Sequence, residues 1–150
     1  MSERELESVA RRTFLMSAGS TACALGLAAC MHTNGARIVA APLASGAIVI
    51  RLADQPELAT VGGAIKLKPP GYDDTILLWR SGANEYSATS IICTHMGCEV
   101  EVADEGKALA CPCHGSRYAI DGTVTHGPAD RALRHYVVQA SDTELTVRPA

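Results

Sequence analysis

The chain has 150 residues, with 13 Lys/Arg against 16 Asp/Glu for a net charge of −3, and 47% of its residues are hydrophobic. That mild acidity leaves no basic stripe to meet phosphates and excludes nucleic acid as a partner. The length suits one domain with a modest core, and neither repeats nor low-complexity tracts divide it.

Arg11-Arg12-Thr13-Phe14-Leu15 stands at the head of an uncharged run, Phe14 to Met31, that is diluted by Ser17, Gly19, Ser20, Thr21 and Gly26. A basic segment followed by an apolar one is the pattern of an export signal. This one resembles the twin-arginine motif, in which weak hydrophobicity is usual. Leu27-Ala28-Ala29-Cys30 resembles a lipobox, in which Cys30 is acylated and becomes the mature N-terminus. The competing reading is an uncleaved anchor, but eighteen uncharged residues only just reach the length of a span, for which about 20 strongly apolar residues are usual. The expected division is therefore residues 1–29 as a twin-arginine signal peptide, 30–46 as a lipid-anchored linker and 47–150 as the folded domain. The first 29 residues hold three basic and three acidic residues, so their removal keeps the net charge at −3. Met31 to Ala44 reads as linker, with His32 a solvated loop residue.

Strand signals dominate the rest. Ala47 to Leu52, Ala64 to Lys68, Thr75 to Arg80, Tyr86 to Ile92, Glu99 to Val102, Ala108 to Ala110, Arg117 to Ile120, Ala132 to Gln139 and Glu144 to Arg148 are β-branched or alternating runs broken by Gly, Pro and Asp. Such short, closely spaced strands predict an all-β fold of antiparallel sheets rather than βαβ units. Trp79, within Leu-Leu-Trp-Arg, reads as a core anchor.

Two runs interrupt the strands: Cys93-Thr94-His95-Met96-Gly97-Cys98 and Cys111-Pro112-Cys113-His114-Gly115-Ser116. Each offers thiolates and an imidazole on a tight turn, and fifteen residues separate His95 from Cys111. The pair of loops resembles those of Rieske iron–sulfur proteins, C-x-H at Cys93 and His95 and C-x-x-H at Cys111 and His114. The resemblance extends from about Glu57 to the C-terminus and takes in the Asp121-Gly122 turn and Gly127-Pro128-Ala129. It implies antiparallel β sheets with a small cluster-binding subdomain of two loops, at about 93–130, and a [2Fe-2S] cofactor. Cys93 and Cys111 would bind the buried iron, and His95 and His114 the outer one. It also implies a disulfide between Cys98 and Cys113, which needs an oxidising compartment. A structural zinc site is the bland alternative, but its usual C-x(2–4)-C and H-x(3–5)-H spacings fit poorly.

The chemistry of such a site follows from charge. Two ferric ions and two sulfides sum to plus two, so four thiolates give an oxidised dianion, whereas two thiolates and two neutral imidazoles give zero. A neutral centre accepts an electron more easily, which lifts the potential from about −400 mV to roughly −150 to +300 mV. An imidazole that ligates through one nitrogen carries a proton on the other, so electron and proton uptake are expected to be linked.

Further residues refine the expectation. In the high-potential Rieske branch a serine right after the His-Gly pair donates to a bridging sulfide, and a tyrosine two residues later to a cysteine sulfur. Ser116 and Tyr118 stand at those positions. Met96 occupies a place where the family more often has leucine, and is expected to cap the cluster. Gly127 and Pro128 match a shielding loop, although Asp130 replaces a second proline. His126, beside that loop, reads as an exposed turn histidine, and His135 as structural.

Together with the export signal and lipobox read at the N-terminus, the resemblance implies a membrane-tethered, one-electron, proton-coupled carrier on the periplasmic or extracytoplasmic face. Quinol or a redox protein would be its donor and a c-type cytochrome or similar its acceptor, as in a quinol:cytochrome c-type oxidoreductase. Alternatives are the small subunit of a periplasmic molybdenum oxidase resembling arsenite oxidase, and a ring-hydroxylase ferredoxin, whose branch typically lacks the cysteine pair. The chain is too short for a substrate site and a mononuclear iron domain as well. It is expected to be a component of an oxidoreductase complex rather than an independent catalyst.

Overall fold

The computed structural model describes residues 35–41, 43–44 and 46–150. The expected signal at 1–29, its Arg11-Arg12 pair, Cys23, the lipid site Cys30 and His32 lie outside the described residues. The described residues form twelve strands: β1 (Ile38–Val39), β2 (Leu43–Ala44), β3 (Ala47–Arg51), β4 (Ala64–Leu67), β5 (Ile76–Arg80), β6 (Tyr86–Ser90), β7 (Glu101–Ala103), β8 (Ala108–Ala110), β9 (Arg117–Ala119), β10 (Val124–His126), β11 (His135–Ala140) and β12 (Glu144–Pro149). Short 3-10 turns lie at Leu52–Asp54, Pro56–Ala59 and Asp104–Gly106, and no helix among the described residues is long and apolar enough to cross a membrane.

All nine expected strands are present, and the sheets are antiparallel but for one pair, β1 running parallel to β4. Three strands differ from expectation. The stretch read as linker contributes β1 and β2, two residues each. β10 pairs with β9 through a bulge between Val124 and His126, so His126 sits at a strand end, exposed.

The large sheet has the order β1-β4-β5-β6-β11-β12-β3-β2. β1 and β2 are its two edges, yet four chain steps join Val39 to Leu43, which span no more than roughly 14 Å. The edges are therefore close, and the sheet is curled. Its inside holds Ile48, Ile50, Ile65, Leu67, Ile76, Leu78, Leu145 and Val147.

Period-two alternation sends every other residue to the outer face. On β5, Ile76 and Leu78 point inward, while Leu77 and Trp79 join a second core with Cys93, Leu109, Cys111, Tyr118 and Leu133. This explains why β5 reads as an unbroken apolar run: it is buried on both faces. The second core is covered by the small sheet, β10-β9-β8-β7. Trp79 is fully buried and anchors that layer, its Nε1–H donating to the Gly106 carbonyl at 2.8 Å.

Candidate metal centre

The two Cys/His runs are the loops at one end of the small sheet, residues 93–98 after β6 and 111–116 between β8 and β9. They repeat one backbone design. The Cys93 N–H donates to the Cys98 carbonyl at 2.7 Å, and the Gly97 N–H to the Cys93 carbonyl at 2.9 Å. In the second loop the Cys111 N–H donates to Ser116 at 2.8 Å and the Gly115 N–H to Cys111 at 3.0 Å. Both closing glycines are left-handed, with φ of +79° at Gly97 and +80° at Gly115. A Cβ on either would meet nothing within 4 Å, so backbone conformation rather than space selects glycine there.

This design turns Cys93 and Cys111 into the core, where both are free and buried, and leaves His95 and His114 exposed. The imidazoles meet edge to face with centroids 4.9 Å apart. Two inner thiols and two outer imidazoles thus converge from separate loops. The Cys98–Cys113 disulfide joins the loops across 15 residues, with Cα atoms 6.5 Å apart. The Cys111 sulfur also lies within 4.8 Å of both disulfide sulfurs. That trio is not a metal site, because two of its sulfurs are already bonded to each other.

The two thiols are not equivalent. Burial pushes Cys93 up, but hydrogen bonds from Tyr118, the His95 backbone, Cys111 and Ser116 outweigh it and hold the pKa below that of an ordinary thiol. Cys111 is raised by burial and by the neighbouring Cys93, which takes the first negative charge. Such a pocket already favours one thiolate and needs compensating positive charge to hold a second. Sulfur ligands paired with neutral imidazoles suit iron in this way.

Tyr118 is fully buried, with its hydroxyl 3.1 Å from Cys93 Sγ and 3.2 Å from Thr94 Oγ1. The threonine spends its own proton on the Arg131 carbonyl at 2.6 Å. The tyrosine proton therefore has two acceptors, and a thiolate at Cys93 selects the sulfur. The Thr94 N–H donates to the same phenol oxygen at 3.3 Å. Burial and the nearby Cys93 both raise the Tyr118 pKa. Ser116 is also fully buried, and its Oγ accepts the Ala129 N–H at 3.0 Å. Its own proton is left for the sulfur side.

Gly127 and Pro128 are exposed beside the loops and joined by a cis peptide. Asp130 is paired with Arg131 at 3.7 Å, both side chains largely in solvent, so its charge is screened. Met96 is 70% exposed. Next to it a groove of about 880 Å3 opens, lined in part by Tyr72, Asp74, Thr94, His95 and Arg131. The structure thus brings Cys93, His95, Cys111, His114, Ser116 and Tyr118 together, while His126 and His135 lie elsewhere on β10 and β11. Sequence reasoning passed over Thr94 and Arg131, which clip the loop at 93–98 to the segment carrying Pro128. Thr94 was visible as the middle residue of Cys-x-His, but its partner is 37 positions away.

Residues 54–137 match the Rieske [2Fe-2S] domain. The chain is 33% identical over 111 residues to the cytochrome b6-f complex iron-sulfur subunit of Chlorobaculum tepidum, covering 74% of this chain and 60% of that one. It is 42% identical over 57 residues to iron-sulfur subunit 2 of the same complex in Nostoc, covering 38% of this chain and 32% of the relative. The chain thus spans less than two thirds of the length of these relatives. Among solved structures, the cyanobacterial plasma membrane Rieske protein of Synechocystis superposes with a TM-score of 0.50 at 31% identity, over 60% of this chain and 98% of that one. The ferredoxin of carbazole 1,9a-dioxygenase from Nocardioides aromaticivorans superposes at 0.52 with 24% identity, over 63% and 96%, a likeness of fold alone. The chain belongs to the Rieske [2Fe-2S] family, and its cofactor is a [2Fe-2S] cluster.

Proposed function

We propose that this chain is a membrane-tethered, proton-coupled electron carrier of a quinol:cytochrome c-type oxidoreductase. Cys93 and Cys111 hold the inner iron, and His95 and His114 the outer one. When bound, the cluster supplies one-electron redox chemistry. The observation that carries the reading is the pairing of two buried thiols with two exposed imidazoles on matched loops. Each histidine keeps one ring nitrogen for a proton at the protein surface, where a quinol or redox-protein donor reaches it. The groove beside His95 supplies room for that donor. Tyr118 and Ser116 direct hydroxyl protons at the sulfur side and favour the reduced state. The acceptor on this reading is a c-type cytochrome or similar protein.

The b6-f subunits named above support the quinol setting over both alternatives, molybdenum oxidase and ferredoxin. The disulfide, which belongs to an oxidising compartment, weighs against the ferredoxin alternative alone. Export by the twin-arginine route and a lipid tether at Cys30 belong to the same reading. Their support is Arg11-Arg12 ahead of an uncharged run, and Leu27-Ala28-Ala29-Cys30 at its end.

The test is a redox titration of the purified, loaded protein followed by electron paramagnetic resonance at several pH values. A Rieske-type signal with a positive midpoint that falls as pH rises through neutrality is expected. A negative midpoint that stays flat across neutral pH would instead assign the chain to the oxygenase-ferredoxin class.

A further inference from the structure

All four residues of β4, Ala64-Ile65-Lys66-Leu67, are buried. Ile65 and Leu67 fill the inside of the curled sheet. Alternation therefore sends Lys66 to the outer face beside Ala64, which belongs to the second core together with Cys93 and Cys111. The Lys66 side chain is only 8% exposed, and its Nζ donates to Glu99 Oε2 at 2.7 Å, the glutamate being 43% exposed. Among the described residues, Lys66 is the one charged member of the buried set. The cations of the other ion pairs, Arg37, Arg51, Arg117 and Arg131, are at least 41% exposed and act through solvent. An apolar residue at position 66 would continue the strand pattern without the cost of burying an ammonium.

Glu99 is where the first loop returns to the sheet. It follows Cys98, whose carbonyl closes the loop onto the Cys93 N–H. Glu99 is bridged to Ile92, and the next residue, Val100, donates to the Ile91 carbonyl at 2.8 Å. The ion pair therefore joins the large sheet to the rim of the loop that carries Cys93 and His95. A charge shielded from water acts over a longer distance than one at the surface.

We propose that Lys66 and Glu99 form an electrostatic positioning pair for the cluster. The lysine supplies a buried positive charge that favours the reduced state, and the glutamate sets how much of it is felt. This rests on the reading that the two loops hold the [2Fe-2S] cluster.

Four variants of the full, loaded chain test it by electron paramagnetic resonance redox titration at pH 6, well below the lysine range: Lys66→Met, Glu99→Gln, the double variant and Lys66→Arg. The expected result is a lowered midpoint for Lys66→Met and a raised one for Glu99→Gln. The double variant returns toward the unaltered protein, and Lys66→Arg stays with it. A purely mechanical clamp would shift both single variants in one direction or leave both unmoved, and either outcome overturns the proposal. If Lys66→Met does not fold, Glu99→Gln carries the test, and an unchanged or lowered midpoint overturns it. Absence of any Rieske-type signal in the unaltered protein would sink the ligand reading itself. A normal signal with wrongly signed variants sinks this inference alone.

Discussion

The Tyr118 hydroxyl points at the Cys93 sulfur from 3.1 Å, inside a core from which water is excluded. The phenol reaches this position from β9, the strand that follows the loop carrying Cys111 and His114. It therefore ties the second loop to the inner sulfur of the first. A hydrogen bond to a thiolate disperses negative charge, and its loss penalises the more negative, reduced state. Tyr118→Phe is expected to lower the midpoint by on the order of 50 mV. This takes about 1 kcal/mol for the net worth of one such bond and about 59 mV per tenfold change for a one-electron couple. Voltammetry of the two loaded proteins measures the difference, and equal midpoints would show that the phenol serves packing alone.

The disulfide controls a different property. The two loops lie at the end of a sheet whose strands are three residues long, so they have little packing of their own. A bridge closing about 15 residues contributes roughly 3 kcal/mol in the chain-entropy model. Replacing both Cys98 and Cys113 by Ser is expected to lower the thermal midpoint and to speed loss of the cluster's visible absorption in a chelator several-fold. Decay at the unaltered rate would mean that the loop hydrogen bonds hold the site unaided.

Much of this architecture was legible in the sequence, for a physical reason. A metal site needs its donors at fixed spacings on tight turns, so the proposed donors Cys93, His95, Cys111 and His114 and the two closing glycines form a local pattern. Strands such as β5 announce themselves by β-branched and apolar content. β1 and β2 do not, because two residues carry no alternation and their pairing is supplied by the sheet edges they meet. β10 is three residues long and is bulged beside Gly127-Pro128. The contacts that were not legible join residues far apart in sequence: Thr94 with Arg131, Ser116 with Ala129, Lys66 with Glu99. Ser116 and Thr94 stand within the Cys/His runs but their partners do not, and Lys66 left its trace as a single charge in an apolar strand.

The docking of the small sheet on the large one depends on the turn Asp104–Gly106. Its first two residues are left-handed, with φ of +50° and +55°, and Gly106 follows at +89°. A Cβ on Gly106 would sit 2.9 Å from the Arg80 carbonyl oxygen and 3.3 Å from Gly62 N. Backbone on both sides leaves no flexible group to yield, and the Gly106 carbonyl must stay in place to accept the Trp79 N–H. Gly106→Ala is expected to cost about 2 kcal/mol or more, combining roughly 1–2 kcal/mol for the left-handed backbone with the steric conflict. Chemical denaturation would measure it, and an unchanged midpoint would show that the β7–β8 turn is free to shift away from the large sheet.

Alkali tests the same large sheet from its inner side. Tyr136 is buried on β11 and donates to Asp74 Oδ2 at 3.1 Å. Burial, and then the Asp74 charge, push its pKa up to about 12. The unfolded chain ionises its tyrosines near 10, so between about pH 10 and 12 the unfolded state releases a proton that the native state retains. Its folded pKa being raised, Tyr136 contributes stability that is complete below the unfolded value and is lost as pH rises toward the folded one. The loss amounts to roughly 2–3 kcal/mol for a shift of about two units. Denaturation midpoints taken from pH 9 to 12 should fall in the unaltered protein. In Tyr136→Phe they should fall less steeply, from a lower start set by the lost hydrogen bond to Asp74. Parallel slopes in the two proteins would place the alkaline loss elsewhere, Tyr118 and Cys111, whose pKa values burial also raises, being two of the other buried groups.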